Sequence, residues 1–244
     1  ISRRGAGLLK NYHIKAEYQP LRKGYARLSK QALYDFDGTI TSKDTTILLL
    51  VALLRLRPWR VSGLIWFLFR MIVASDSASK QEHKNKATGH LIKNLSGVRL
   101  SGALKDFRNK VKYLYRPSVL SSIGHAIQEG STVLIVTASP SFAISDCVLD
   151  FPVIVLGTEF EKKENIYTGF LKSQNCYGQE KVNRINEWAT SNKITLSVQS
   201  AWSDHFSDFA MLSLSANRYW VGGEQLRKLI MDRDPKANFV HTKQ

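Results

Sequence analysis

A chain of 244 residues with 43% apolar content is long enough for one α/β core with an inserted subdomain, or for two small domains. Its formal net charge of +15 and pI near 9.9 predict attraction to polyanions: nucleic acid, an anionic lipid surface or phosphorylated substrates. Cys147 and Cys176 stand far apart with no Cys-x-x-Cys or Cys/His spacing, which argues against a zinc site and for reduced, intracellular thiols.

Residues 1–30 carry Arg3, Arg4, Lys10, Lys15, Arg22, Lys23, Arg27 and Lys30 against the single acid Glu17. With no sustained period, this stretch is expected to be a solvated basic arm outside the core; a transit-peptide remnant is the other reading. Ala32-Leu33-Tyr34 then predicts a short strand running into a tight turn at Asp35-Phe36-Asp37-Gly38-Thr39. Two acids two residues apart before a glycine make either an ordinary turn or a site at a strand end.

Ser42 or Asp44 is placed to cap a helix over 45–56, and Pro58 ends it before a second apolar block at 61–73. Arg55, Arg57, Arg60 and Arg70 interrupt the apolar residues, so no run reaches the roughly 20 that a membrane span needs. The two blocks are expected to form an interfacial helical hairpin with Trp59 and Trp66 at headgroup depth, the alternative being a buried pair within a lid. Residues 76–110 are polar and helical in character, making 44–116 an all-helical cap inserted into a core of 31–43 and 117–244.

From Pro117 helices and short apolar runs alternate. Helix 118–129 leads to strand Thr132–Val136, a helix opening at Ser139-Pro140 and running through about Leu149, and strand Val153–Leu156. A hairpin of 158–160 against 166–171 follows, then helix 178–189, strand 196–202, a short helix 206–213, strand 219–221 and helix 224–231. This alternation predicts an α/β fold: a Rossmann-like, mostly parallel sheet with helices on both faces.

A parallel sheet delivers its strand ends to one crevice, here Asp35 and Asp37, Thr137, then Asp204 and Asp208, with Lys181 at the start of the preceding helix. Clustered carboxylates repel, so such a site calls for a hard cation with oxygen ligands, best Mg²⁺. A lysine and a hydroxyl facing that cation suit phosphoryl oxygens.

In order and spacing, Asp35-Phe36-Asp37-Gly38-Thr39, Leu134-Ile135-Val136-Thr137, Gly178-Gln179-Glu180-Lys181 and Ser203-Asp204-His205-Phe206-Ser207-Asp208 resemble the motifs of the haloacid dehalogenase superfamily, over about 32–231. The resemblance implies a phosphatase in which Asp35 attacks phosphorus to give an aspartyl-phosphate and Asp37 serves as acid and base. It further implies that Asp35, the Asp37 carbonyl and Asp204 hold Mg²⁺, and that Thr137, Ala138 and Lys181 bind the phosphoryl group, with Ser139 beside them. Asp208 would act through the second shell or orient Lys181; its other reading is a helix cap. His205 replaces a usually small residue and is expected to be a solvent-facing turn residue.

A helical insertion after the first motif is similar to that of the phosphoserine phosphatase-like subgroup. Thr137-Ala138-Ser139-Pro140, Thr168-Gly169-Phe170-Leu171 and Asn175–Val182 look most like its phosphatidylglycerophosphatase C-like branch. That resemblance implies a phosphorylated lipid substrate such as phosphatidylglycerophosphate and a peripheral or interfacial place at an anionic membrane; nucleic acid is not the expected partner. The competing readings are a soluble phosphatase for a small metabolite such as phosphoserine, and a non-catalytic membrane- or nucleic-acid-binding relative.

Overall fold

The computed structural model describes residues 27–242. Its strands are β1 (Arg27–Tyr34), β2 (Thr132–Pro140), β3 (Ile154–Thr158), β4 (Phe160–Lys163), β5 (Ile166–Leu171), β6 (Ile194–Ser203), β7 (Asn217–Gly222) and β8 (Asn238–His241). All but β4 and β5 form one sheet in the order β3-β2-β1-β6-β7-β8, every neighbouring pair parallel. Residues 1–26 of the expected arm lie outside the described residues, but Arg27–Lys30 pair with Ile194–Ser197 and are strand, not arm. The polar Gln31 conceals them: it is fully buried in mid-strand, where its side-chain oxygen accepts the Ser197 N–H at 2.6 Å.

The two-residue period of the central strands splits their side chains between two cores. Ala32, Tyr34, Val133, Ile135, Trp202 and Val221 face one side. Leu33, Leu134, Val136, Ala201 and Trp220 face the other. Helices α5 (Pro117–Gln128) and α6 (Ser141–Cys147) close the first face, through Val119, Ile123, Ala143 and Ile144. The second is closed by α7 (Gln179–Ser191), α8 (Phe209–Leu212) and α9 (Glu224–Arg233), through Val182, Ile185, Met211, Leu212 and Ile230. At the carboxyl ends Tyr34, Trp202 and Tyr219 sit opposite one another in register and stack, with ring centroids 5.6 and 4.1 Å apart. A one-residue slip would turn these rings to the other face, so the stack fixes where the residues after β1 and β6 emerge.

Between Thr41 and Arg116 the chain is helical: α1 (Thr46–Leu54), α2 (Val61–Val73), α3 (Ser77–Ile92) and α4 (Gly97–Val111), with short 3₁₀ turns. Its entry and exit are tied by Ser42 N–H to Leu114 carbonyl at 2.7 Å and Arg116 N–H to Ile40 carbonyl at 2.8 Å. Leu49, Leu50 and Leu53 of α1 join the first core with Leu91 and Phe107, whereas on α2 only Leu64 is buried. The insertion also docks on the hairpin of β4 and β5. Asn94 donates to the Tyr167 carbonyl at 2.8 Å, and Gly89 approaches Gly169 so closely that a Cβ there would lie 2.1 Å from its carbonyl oxygen.

Other elements differ from expectation as well. Thr158 belongs to β3, where it pairs with Pro140, so the hairpin's first strand starts at Phe160. Pro140 is extended (ψ 124°) and ends β2, so α6 starts one residue later; a residue before proline disfavours the helical region, which keeps Ser139 in the strand. Strand β8 adds a sixth member that four residues are too short to announce by period.

Candidate functional site

The loop leaving β1 leads towards β2 on one side of the sheet, while β6 leads to β7 on the other. The crevice between β1 and β6 is therefore the switch point of the sheet, where open α/β folds bind ligands. Asp35 stands directly after β1 with its N–H on the Trp202 carbonyl at 2.9 Å, and Asp204 directly after β6. Thr137, Ala138 and Ser139 come from the end of β2, and Lys181 from the first turn of α7. A cavity of about 300 Å³ brings these residues together with Asp37 and Asp208.

Lys181 is the electrostatic centre. Only 2% exposed, it donates to Asp35 at 2.6 Å and to Asp208 at 2.7 Å. Burial alone would lower its pKa, but Asp208 and Asp35 more than offset this and raise it, so the ammonium stays charged. Asp208 also accepts from Ser203 Oγ at 2.7 Å; it occupies the N-cap position of α8, but its side chain makes no cap bond there. Asp35 is nevertheless raised well above the usual carboxylate range, first by burial and then by Asp208 and Asp204 against the pull of Lys181.

Asp37 is held from two directions, by Thr45 and by Ser139. One carboxylate oxygen accepts the Thr45 N–H and hydroxyl, both at 2.7 Å, and the other accepts Ser139 Oγ at 2.6 Å. Burial raises its pKa and Asp44 adds to this, while these hydrogen bonds lower it; the net is upward.

From Phe36 to Ile40 the chain makes a wide turn that includes Asp37, extended there (ψ 125°) and closed by Thr41 N–H on the Phe36 carbonyl at 3.0 Å. Gly38 has φ 81°, and a Cβ there would lie 2.0 Å from an Asp204 carboxylate oxygen. Gly38→Ala is expected to lower stability by more than about 1 kcal/mol in thermal or urea unfolding, since it adds left-handed strain to the clash. An unshifted transition would show that Asp204 does not sit against this turn.

The helical insertion adds residues that no motif in the sequence marks. Asp44, Met71, Ser77, Lys80, Gln81 and Lys84 line the cavity, as does Tyr177 from the loop before α7. Thr39, inside the first motif, bridges the two strand-end acids: its hydroxyl lies 3.3 Å from Asp35 and 3.0 Å from Asp204. Arg116 donates to the Gly38 carbonyl at 3.2 Å. His205 is exposed and its Nδ1 accepts the Ser207 N–H at 3.2 Å, so it shapes the turn that follows Asp204.

Among the described residues no three His, Cys, Asp or Glu side chains gather as a metal cage. Magnesium does not need one: it is commonly held by one or two carboxylates, with waters and substrate phosphate completing the octahedron. The donors here fit that pattern. Thr39 has one hydroxyl hydrogen for two carboxylates, and burial, eased by the Thr39 bond but reinforced by Asp208, raises Asp204 to about 6. A hard dication would relieve that unfavourable burial of charge.

The family model for haloacid dehalogenase-like hydrolases matches residues 32–213. No curated protein matches the sequence. Among solved structures, a Bordetella pertussis Tohama I protein of unknown function superposes with a TM-score of 0.71 at 19% identity, covering 88% of this chain and 99% of that one. A substrate-bound phosphoserine phosphatase gives 0.57 at 14% identity, covering 89% and 95%. Cytosolic 5'-nucleotidase IIIB bound to cytidine gives 0.60 at 9% identity, covering 88% and 81%.

Proposed function

The chain belongs to the haloacid dehalogenase-like hydrolase family, and from that premise we propose that it is a Mg²⁺-dependent phosphomonoester hydrolase working through an aspartyl-phosphate on Asp35. The observation that carries this is the convergence of Asp35, Asp37, Thr137, Lys181, Asp204 and Asp208 on one cavity. The phosphatases among its structural neighbours agree with it.

An Asp35 oxygen forms a bond to phosphorus as the ester oxygen leaves, and Asp37 gives that oxygen its proton. Water then attacks the same phosphorus, Asp37 takes up its proton, and phosphate departs as Asp35 is restored. Lys181, held by Asp208, keeps a positive charge beside the phosphoryl oxygens throughout. Thr137 accepts the Ser139 N–H at 3.0 Å, which leaves its own hydroxyl hydrogen free to donate to a phosphoryl oxygen, and the Ala138 N–H is a further donor. Asp35, the Asp37 carbonyl and Asp204 would hold Mg²⁺, which screens the phosphate and Asp35 charges from one another.

The substrate we favour is a membrane lipid phosphate such as phosphatidylglycerophosphate, met at an anionic surface. Among the described residues no helix is long and apolar enough to cross a membrane. Helix α2 instead carries an exposed apolar face of Ile65, Trp66, Phe69 and Ile72, the last 81% exposed, with Trp59 just before it. Arg70 lies over the Trp66 ring, and Met71 of the same helix lines the cavity. A bare apolar face flanked by arginines, ending at the site, suits an interface better than a lid buried in water-soluble protein.

Flotation with phosphatidylglycerol-containing vesicles at low salt tests this. The protein is expected to float and to release phosphate from phosphatidylglycerophosphate in those vesicles. Replacing Ile65, Phe69 and Ile72 together by Ser should weaken binding roughly tenfold or more. A wild-type chain that stays in the soluble fraction would remove the interfacial reading and leave a soluble small-metabolite phosphatase.

A further inference from the structure

Helix α3 presents Ser77, Lys80, Gln81 and Lys84 to the cavity that holds Asp35. Their spacing of three, four and seven positions is that of one helical face, so a single helix forms this wall. Of the lysines that line the cavity, Lys181 is committed to Asp35 and Asp208, and Lys84 is ion-paired with Asp44. The Lys80 ammonium has no carboxylate or hydrogen-bond partner among the described residues. Among the described residues the cavity thus offers one uncommitted lysine, on the helical wall and not among the groups of β2 and α7 that would bind the phosphoryl group.

We propose that Lys80, flanked by Ser77 and Gln81, is a subsite for a second anionic group on the substrate, so that the preferred phosphomonoesters are those whose leaving alcohol itself carries a phosphodiester or carboxylate. This rests on the phosphomonoesterase reading and narrows its substrate class. A cavity of about 300 Å³ takes a charged head group but not acyl chains, which would pass out beside Met71 towards α2. The second anion also separates substrates that the phosphoryl-binding groups treat alike, because those groups touch only the transferred phosphate.

The test compares kcat/KM within two matched pairs, each with Mg²⁺. Phosphatidylglycerophosphate is set against phosphatidic acid in the same vesicles, and 3-phosphoglycerate against glycerol 3-phosphate in solution. The wild type is expected to favour the member with the anionic leaving alcohol by about fivefold or more, the scale of a partly solvated ion pair. Lys80→Met should bring that ratio towards one, Lys80→Arg should keep it and Lys80→Glu should reverse it, with circular dichroism confirming that each variant is folded. A preference in the lipid pair alone supports the subsite and identifies its source as a membrane lipid; one in the soluble pair alone supports it with a free acid as source. Hydrolysis without preference, or a preference untouched in folded Lys80→Met, overturns the inference and leaves the phosphatase reading standing. No hydrolysis of any of the four overturns both.

Discussion

Asp35→Asn is expected to lose turnover of any phosphomonoester by about a thousandfold or more, because a neutral amide neither attacks phosphorus nor forms the acyl-phosphate. The same variant is expected to unfold at a temperature no lower than the wild type. Asp35 is buried among Asp208 and Asp204, and its raised pKa records that ionising it there is unfavourable even with Lys181 alongside. The amide keeps the shape, removes that charge and still leaves Lys181 its ion pair with Asp208. A dead but equally stable protein separates a chemical role from a structural one; loss of both would point to misfolding, and retained turnover would remove Asp35 as nucleophile.

Lys181→Met is expected to do the opposite to the fold. It leaves Asp35 and Asp208 buried without their cation, and breaking a buried pair from one side costs about 3–5 kcal/mol. Urea unfolding should show that loss, and adding Asp208→Asn should recover part of it, because the second change removes an unpaired charge. A cost below about 1 kcal/mol would mean that Lys181 is not the counter-ion of this cluster.

How much of this could be read from the chain depends on whether the information is local. The carboxyl ends of β1, β2 and β6 were readable because each pairs a short apolar run with the polar residue that follows it, and a parallel sheet does the rest. The first half of β1 was hidden by Gln31, whose burial is balanced by a hydrogen bond to another strand. The wall formed by α3 was hidden for a different reason. Ser77, Lys80, Gln81 and Lys84 look like any solvated helix face, and only the docking of α3 on the hairpin turns them towards Asp35. The blocks at α1 and α2 are both apolar, yet α1 buries Leu49, Leu50 and Leu53 while α2 buries only Leu64 fully, a difference of tertiary packing that periodicity does not carry.

Between the two half-reactions a phosphoryl group is expected to rest on Asp35. Mixing the protein with Mg²⁺ and a phosphomonoester, quenching in acid within a turnover and mapping peptides by mass spectrometry tests it directly. One added phosphoryl group is expected on the peptide that contains Asp35, absent in Asp35→Asn and lost on alkaline treatment. Release of phosphate with no labelled peptide at any quench time, or a label on another residue, would contradict it.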